Sequence, residues 1–184
     1  VTGPLFYVMG PSGAGKDTVL DAVRSRTECA GVLFARRYIT RPASAGGERH
    51  MPLHPQKFDA MRHAGQFALH WQSHGLHYGI GIEIDGWLAQ GHAVVVNGSR
   101  GYLEAALLRY PAMHPVLVTA PESLIAERLA QRGRETEAQI RRRLQHNCLL
   151  ADCGTGKDCA VIVNDSTVQA AAERFFSLLR PYLR

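Results

Sequence analysis

The densest chemistry in this chain lies in one run of nine residues, Gly10, Pro11, Ser12, Gly13, Ala14, Gly15, Lys16, Asp17 and Thr18. Gly10 to Lys16 fills the first seven positions of G-x-x-x-x-G-K-[ST], directly after the apolar run Leu5–Met9 and at a predicted helix start. Glycines there let backbone N–H groups converge on phosphate oxygens. The helix N-terminus adds its partial positive charge, and a lysine reaches the β and γ phosphates. The expected ligand is therefore a nucleoside triphosphate such as ATP. The eighth position departs from the pattern, because Asp17 stands where Ser or Thr would ligate Mg²⁺. A carboxylate is a hard oxygen ligand, so Asp17 is a candidate metal residue. An acidic residue in a helix first turn also complements the helix dipole, and the sequence leaves both roles open.

Such a loop must be held between a buried strand and a helix, and the chain supplies several such pairs. A strand is predicted at Leu5–Met9 with a helix over Lys16 to Arg26, then a short strand over Arg37–Thr40. The segment Pro42–His54 reads as a loop. Alternation from Gln66 to Ile84 suggests short antiparallel strands. Ala93–Val96 and Val116–Thr119 read as strands buried on both faces, each followed by a helix. A polar helix is expected over Glu135–Leu150, a last strand at Val161–Val163 and a last helix at Val168–Leu183. The expected fold class is α/β: a parallel sheet flanked by helices, with a small inserted lobe and a helical lid. The single domain divides into a core of residues 1–41 and 85–184, an inserted acceptor-binding lobe at about 42–84, and a lid at about 126–146.

Composition fits that picture. The chain has 184 residues, 46% of them hydrophobic and 20% charged, enough to bury a core. The charge balance is 21 Lys and Arg against 16 Asp and Glu, a net of +5. The arginines are scattered rather than striped, which points to a small anionic ligand and not to nucleic acid. No apolar run reaches membrane-helix length, so no membrane partner is expected, and VTGPLFYVMG lacks the features of a secretory signal. Cys29, Cys148, Cys153 and Cys159 read as reduced thiols, which favours a cytoplasmic location. Oligomeric state is left open.

Beyond the loop, Ile39-Thr40-Arg41-Pro42, Gly47-Glu48, His77-Tyr78-Gly79, the Arg128-x3-Arg132-Gly133-x-Glu135 pattern and Val161–Asp165 together resemble the guanylate kinase family. Finer blocks carry a narrower resemblance. Gly15-Lys16-Asp17, Arg37–Arg41, Tyr78–Asp85 and Val96-Asn97-Gly98-Ser99-Arg100 are similar to the ribose 1,5-bisphosphate phosphokinases of phosphonate breakdown. That resemblance implies ATP-dependent phosphorylation of ribose 1,5-bisphosphate to 5-phosphoribosyl 1-diphosphate, with Mg²⁺. Guanylate kinases read guanine with carboxylates, whereas His70, Asn97 and Ser99 stand at the equivalents here. A buried polar base edge left unpaired costs about 1–3 kcal/mol per group. The second arginine of that family's R-x-x-R phosphate clamp is also replaced, by Ser44.

The resemblance implies roles residue by residue. Gly10 to Thr18 bind ATP, with Lys16 catalytic and Asp17 on the metal. Arg128, Arg132 and Arg143 are lid arginines that close on the transferring phosphoryl group. Arg41, Tyr78, Asn97, Ser99 and Arg100 bind the acceptor. Glu83 and Asp85 bind ribose hydroxyls or metal, or face water. The competing readings are a nucleoside monophosphate kinase of guanylate type and a non-catalytic interaction module, the latter disfavoured by the intact Gly15-Lys16 pair.

Overall fold

In the computed structural model, residues 2–26, 31–42, 50–131, 133, 136–149 and 158–183 are described. Five parallel strands form the main sheet: β1 (Leu5–Met9), β2 (Val32–Phe34), β7 (Ala93–Asn97), β8 (His114–Thr119) and β9 (Ala160–Val163). Their spatial order is β2-β7-β1-β8-β9. β1 and β7 are buried along their whole length, as their unbroken apolar sequences require. The strand order places the exit of β1 between β7 and β8. Ligands of open α/β sheets collect at such strand ends.

Helix α1 (Lys16–Arg24) buries Val19, Leu20 and Val23 against the sheet. It packs beside α7 (Val168–Leu179), whose N-cap Thr167 accepts a hydrogen bond from the Ala170 amide. Together they cover one face, in a core that includes Phe6, Val8, Val116, Phe175 and Leu179. The other face carries a second, smaller sheet. There β4 (Met51–Pro52), β3 (Arg37–Ile39), β6 (Leu76–Gly81) and β5 (Phe67–Ser73) form a second sheet in that order. The strand expected at Arg37–Thr40 therefore forms, but it pairs with β6 in the small sheet rather than with the main one. β2, which no sequence signal marked, takes the edge of the main sheet instead.

Antiparallel pairing gives the small sheet two distinct faces. Leu69, Trp71 and Ile80 turn inward and share a core with Tyr7, Val94 and Val96 of the main sheet. On the opposite face, Phe67 stacks on Phe58 of α2 (Pro55–His63), with ring centroids 4.6 Å apart. α3 (Glu83–Ala89) then leads to β7, and a 3₁₀ turn (Arg100–Tyr102) and α4 (Leu103–Arg109) follow it. Finally α5 (Glu122–Gln131) and α6 (Glu137–Leu149) pack on each other through Ile125, Leu129 and Ile140, in a small core of their own.

No helix among the described residues is long and apolar enough to cross a membrane. Cys159 is disulfide-bonded, where the sequence predicts a reduced thiol. The thiol argument for compartment therefore falls away.

Candidate active site

The loop between β1 and α1 turns back on itself at Gly13 (φ 91°) and Gly15 (φ 81°). At Gly15 a side chain is barred twice. The backbone is left-handed, and a Cβ would lie 2.5 Å from Asn164 Nδ2. Positive-φ residues around Ala14 make the concave run of amides that binds phosphate, and α1 adds its N-terminal dipole.

At the mouth of the loop three side chains form one network. Lys16 Nζ donates to Asn97 Oδ1 at 2.5 Å, and Asn97 Nδ2 donates to Asp17 Oδ1 at 2.7 Å. Lys16 Nζ also lies 3.5 Å from Asp17 Oδ1. Burial alone pushes the Asp17 carboxyl up. The Lys16 ammonium, the Arg37 guanidinium and the Asn97 hydrogen bond outweigh it and hold the carboxyl below its ordinary value. Asp17 Oδ1 thus bonds to side chains rather than to a backbone amide of α1. The side chain remains 43% exposed. An ionised, accessible oxygen donor beside the phosphate loop suits Mg²⁺, which takes one or two carboxylates and completes its shell with substrate oxygens and water.

The back of the loop is braced by residues far away in sequence. Asn164, at the exit of β9 and 1% exposed, donates from Nδ2 to Ala14 O at 2.8 Å. Arg128 of α5 donates to Ala14 O at 3.3 Å and to Asn164 O at 3.3 Å. Beside them opens a pocket of about 300 Å³ lined by Gly15, Thr18, Arg128, Gln131, Asn164 and Val168. Asn164 Oδ1 is buried at this pocket without a protein hydrogen-bond partner. The sequence reading gave Asn164 no role. Its only signal was its place at a strand end.

At the exit of β7, Tyr7 fixes the backbone. Its hydroxyl donates to Ser99 O and accepts from the Ser99 amide, both at 2.9 Å. Gly98 is required there, since a Cβ would sit 2.1 Å from the Tyr7 ring. Burial raises the Tyr7 hydroxyl well above its ordinary value, so it stays protonated. Tyr78 lies flat on Trp71, with centroids 5.5 Å apart and planes 3° apart, and Trp71 in turn stacks on Tyr102. The Arg37 guanidinium lies 5.5 Å from the Tyr78 ring centroid. Arg41 and Arg100 are half-buried, and burial lowers the Arg100 guanidinium below its ordinary value.

The structure thus brings Lys16, Asp17 and Asn97 into one network, and places Tyr78 and Ser99 around the second sheet's inward face. It separates others. Arg128 lies against the phosphate loop's own carbonyls. Arg132 lies outside the described residues, and of Arg143 only the backbone, within α6, is described. His70 is exposed and pairs with Gly79, so strand alternation turns it away from the face that carries Trp71 and Tyr78. Asp85 is tied to Arg109 Nη2 at 2.7 Å and to the Tyr110 hydroxyl, as a staple between α3 and α4.

A family model described as an AAA domain matches residues 7–146. A guanylate kinase from Anaplasma phagocytophilum superposes with a TM-score of 0.69 at 17% identity, covering 99% of this chain and 87% of that one. That likeness shows the fold. A ribose 1,5-bisphosphate phosphokinase PhnN of Chromobacterium violaceum is 49% identical over 179 residues, 97% of this chain and 95% of the relative. The chain belongs to the ribose 1,5-bisphosphate phosphokinase family. A second member, from Thiobacillus denitrificans, is 50% identical over 178 residues, 96% of this chain and 93% of its own.

Proposed function

We propose that this protein transfers the γ-phosphoryl group of ATP to the 1-phosphate of ribose 1,5-bisphosphate, giving 5-phosphoribosyl 1-diphosphate and ADP. The observation that carries the choice of acceptor is the state of Asn97. Both ends of its amide are spent on the phosphate loop, on Lys16 and Asp17. A guanine would need a carboxylate at this strand end to accept from both its N1–H and its amino group, and a neutral amide whose oxygen already accepts from Lys16 is a poor substitute.

An oxygen of the 1-phosphate forms a bond to the γ phosphorus as the bond from that phosphorus to the β–γ bridging oxygen breaks. The electron pair leaves with ADP. The attacking oxygen is already anionic at neutral pH, so no general base is needed, and catalysis is positioning plus charge neutralisation. Lys16 and the amides from Gly13 to Thr18 hold the donor phosphates. Asp17 would hold Mg²⁺, which would supply charge neutralisation to the donor phosphates. The 300 Å³ pocket takes the purine, with Asn164 Oδ1 accepting from its exocyclic amine. Arg41 and Tyr78 grip the reacting phosphate, and Ser99 and Arg100 the rest of the sugar bisphosphate. The paired helices α5 and α6, within about 126–146, form a lid that carries Arg132 and Arg143 toward the phosphoryl group.

The test is product identity. With ATP, Mg²⁺ and ribose 1,5-bisphosphate, the product should co-migrate with 5-phosphoribosyl 1-diphosphate and be consumed by a phosphoribosyltransferase. A product that no phosphoribosyltransferase consumes would refute the assignment.

A further inference from the structure

We infer that Arg37 is a catalytic residue that contacts the reacting 1-phosphate of the acceptor. The inference rests on the proposed sugar bisphosphate reaction and adds a residue to it. Three observations lead there. Arg37 pairs with Ile80 across β3 and β6, and Ile39 pairs with Tyr78. Residues two apart on a strand share a face, so Arg37, Ile39, Tyr78 and Ile80 all turn toward the main sheet. The guanidinium lies 5.5 Å from the Tyr78 ring centroid, and that ring is held flat by Trp71. Its charge also reaches Asp17, on the donor side, and Tyr7, beneath Ser99. Arg37 therefore stands at the seam between the nucleotide loop and the acceptor floor.

Chemistry requires a cation at that seam. Two anionic phosphates must approach to bonding distance, and each repels the other until charge between them is offset. Lys16 is engaged with Asn97 and Asp17 on the donor side. Arg41, two residues beyond β3, is half-buried. Arg37 supplies a second guanidinium from the strand itself. A planar fork binds phosphate through two N–H groups at once. The Tyr78 ring face, 5.5 Å away, holds the guanidinium charge near this position in advance of binding.

The experiment compares Arg37→Gln and Arg37→Lys with the unaltered enzyme. Acceptor kinetics are combined with inhibition by ribose 1-phosphate and by ribose 5-phosphate, and with titration of a non-hydrolysable ATP analogue. For Arg37→Gln the acceptor kcat/KM and the affinity for ribose 1-phosphate should fall about 10- to 100-fold. Affinities for ribose 5-phosphate and for the ATP analogue should stay within about twofold. Arg37→Lys should recover part of the loss, since it keeps the charge without the fork. Three results would overturn the inference: loss confined to ribose 5-phosphate, a parallel loss of ATP-analogue affinity, or no change in ribose 1-phosphate affinity. A variant that misfolds lowers all of these affinities together and counts with the second. If the unaltered enzyme fails to turn over ribose 1,5-bisphosphate, the proposed function falls, a result distinct from any of these.

Discussion

Lys16, Asp17 and Asn97 form one network at the mouth of the phosphate loop. With Asp in the loop and Asn at the strand end, the carboxylate sits on the loop side of the pair, 2.7 Å from the amide. Lys16→Ala should lower turnover about 10²- to 10³-fold while the chain stays folded, because the ammonium neutralises charge that grows at the β–γ bridge. Circular dichroism alongside steady-state rates checks both halves. Asp17→Asn keeps size and hydrogen bonding but removes the charge. It should raise the Mg²⁺ concentration for half-maximal activity by at least about tenfold, and an unchanged value would show a purely structural carboxyl. The same carboxyl has a pH signature. Its value is depressed in the folded protein, so its stabilising contribution is present above the ordinary carboxylate range and is lost as pH falls below it. The difference in melting temperature between the unaltered chain and Asp17→Asn should hold from pH 8 to 5 and close only below about pH 4, as a pH series of thermal melts would record.

Among the elements, the phosphate loop depends on α5 and β9 as much as on its own glycines. Arg128 and Asn164 hold the Ala14 carbonyl from behind, and Gly15 leaves the room for Asn164 to do so. Arg128→Met should therefore raise the ATP KM about tenfold, the worth of a charged hydrogen bond, with a smaller change in kcat. A lid arginine reaching the transferring phosphoryl would show the reverse, a kcat loss at nearly constant KM. Local sequence made β1, the loop, α1, β7 and β8 legible, since each is a long apolar run or a Gly-rich signature. It did not reveal β2, a three-residue edge strand whose identity comes only from pairing with β7. Nor did it show that β3 joins the small sheet, because three alternating residues fit either partner. Asn164 and Arg37 were invisible as site residues for the same reason. What makes them important is a contact across 150 residues in one case and a shared strand face in the other.

For the whole molecule, two cores sandwich the main sheet, and α5 and α6 keep a third, smaller one. Ligands that bridge the loop and the acceptor floor should tighten the entire chain. At 100 times its Kd, a nucleotide adds about 2.7 kcal/mol to stability. For a chain of this length that is about 5–10 °C in Tm, readable by differential scanning fluorimetry with the ATP analogue. The net charge of +5 suits a reaction whose two substrates are both polyanions. The most direct measurement of the central claim is a competition in one vessel. ATP and Mg²⁺ are supplied with equal concentrations of ribose 1,5-bisphosphate and GMP, and the ratio of their kcat/KM values is read from the two products. The sugar bisphosphate should win by about 10² or more, because Asn97, bonded to Lys16 and Asp17, stands where a guanine-reading carboxylate would be needed. Efficient formation of GDP with little 5-phosphoribosyl 1-diphosphate would contradict the account.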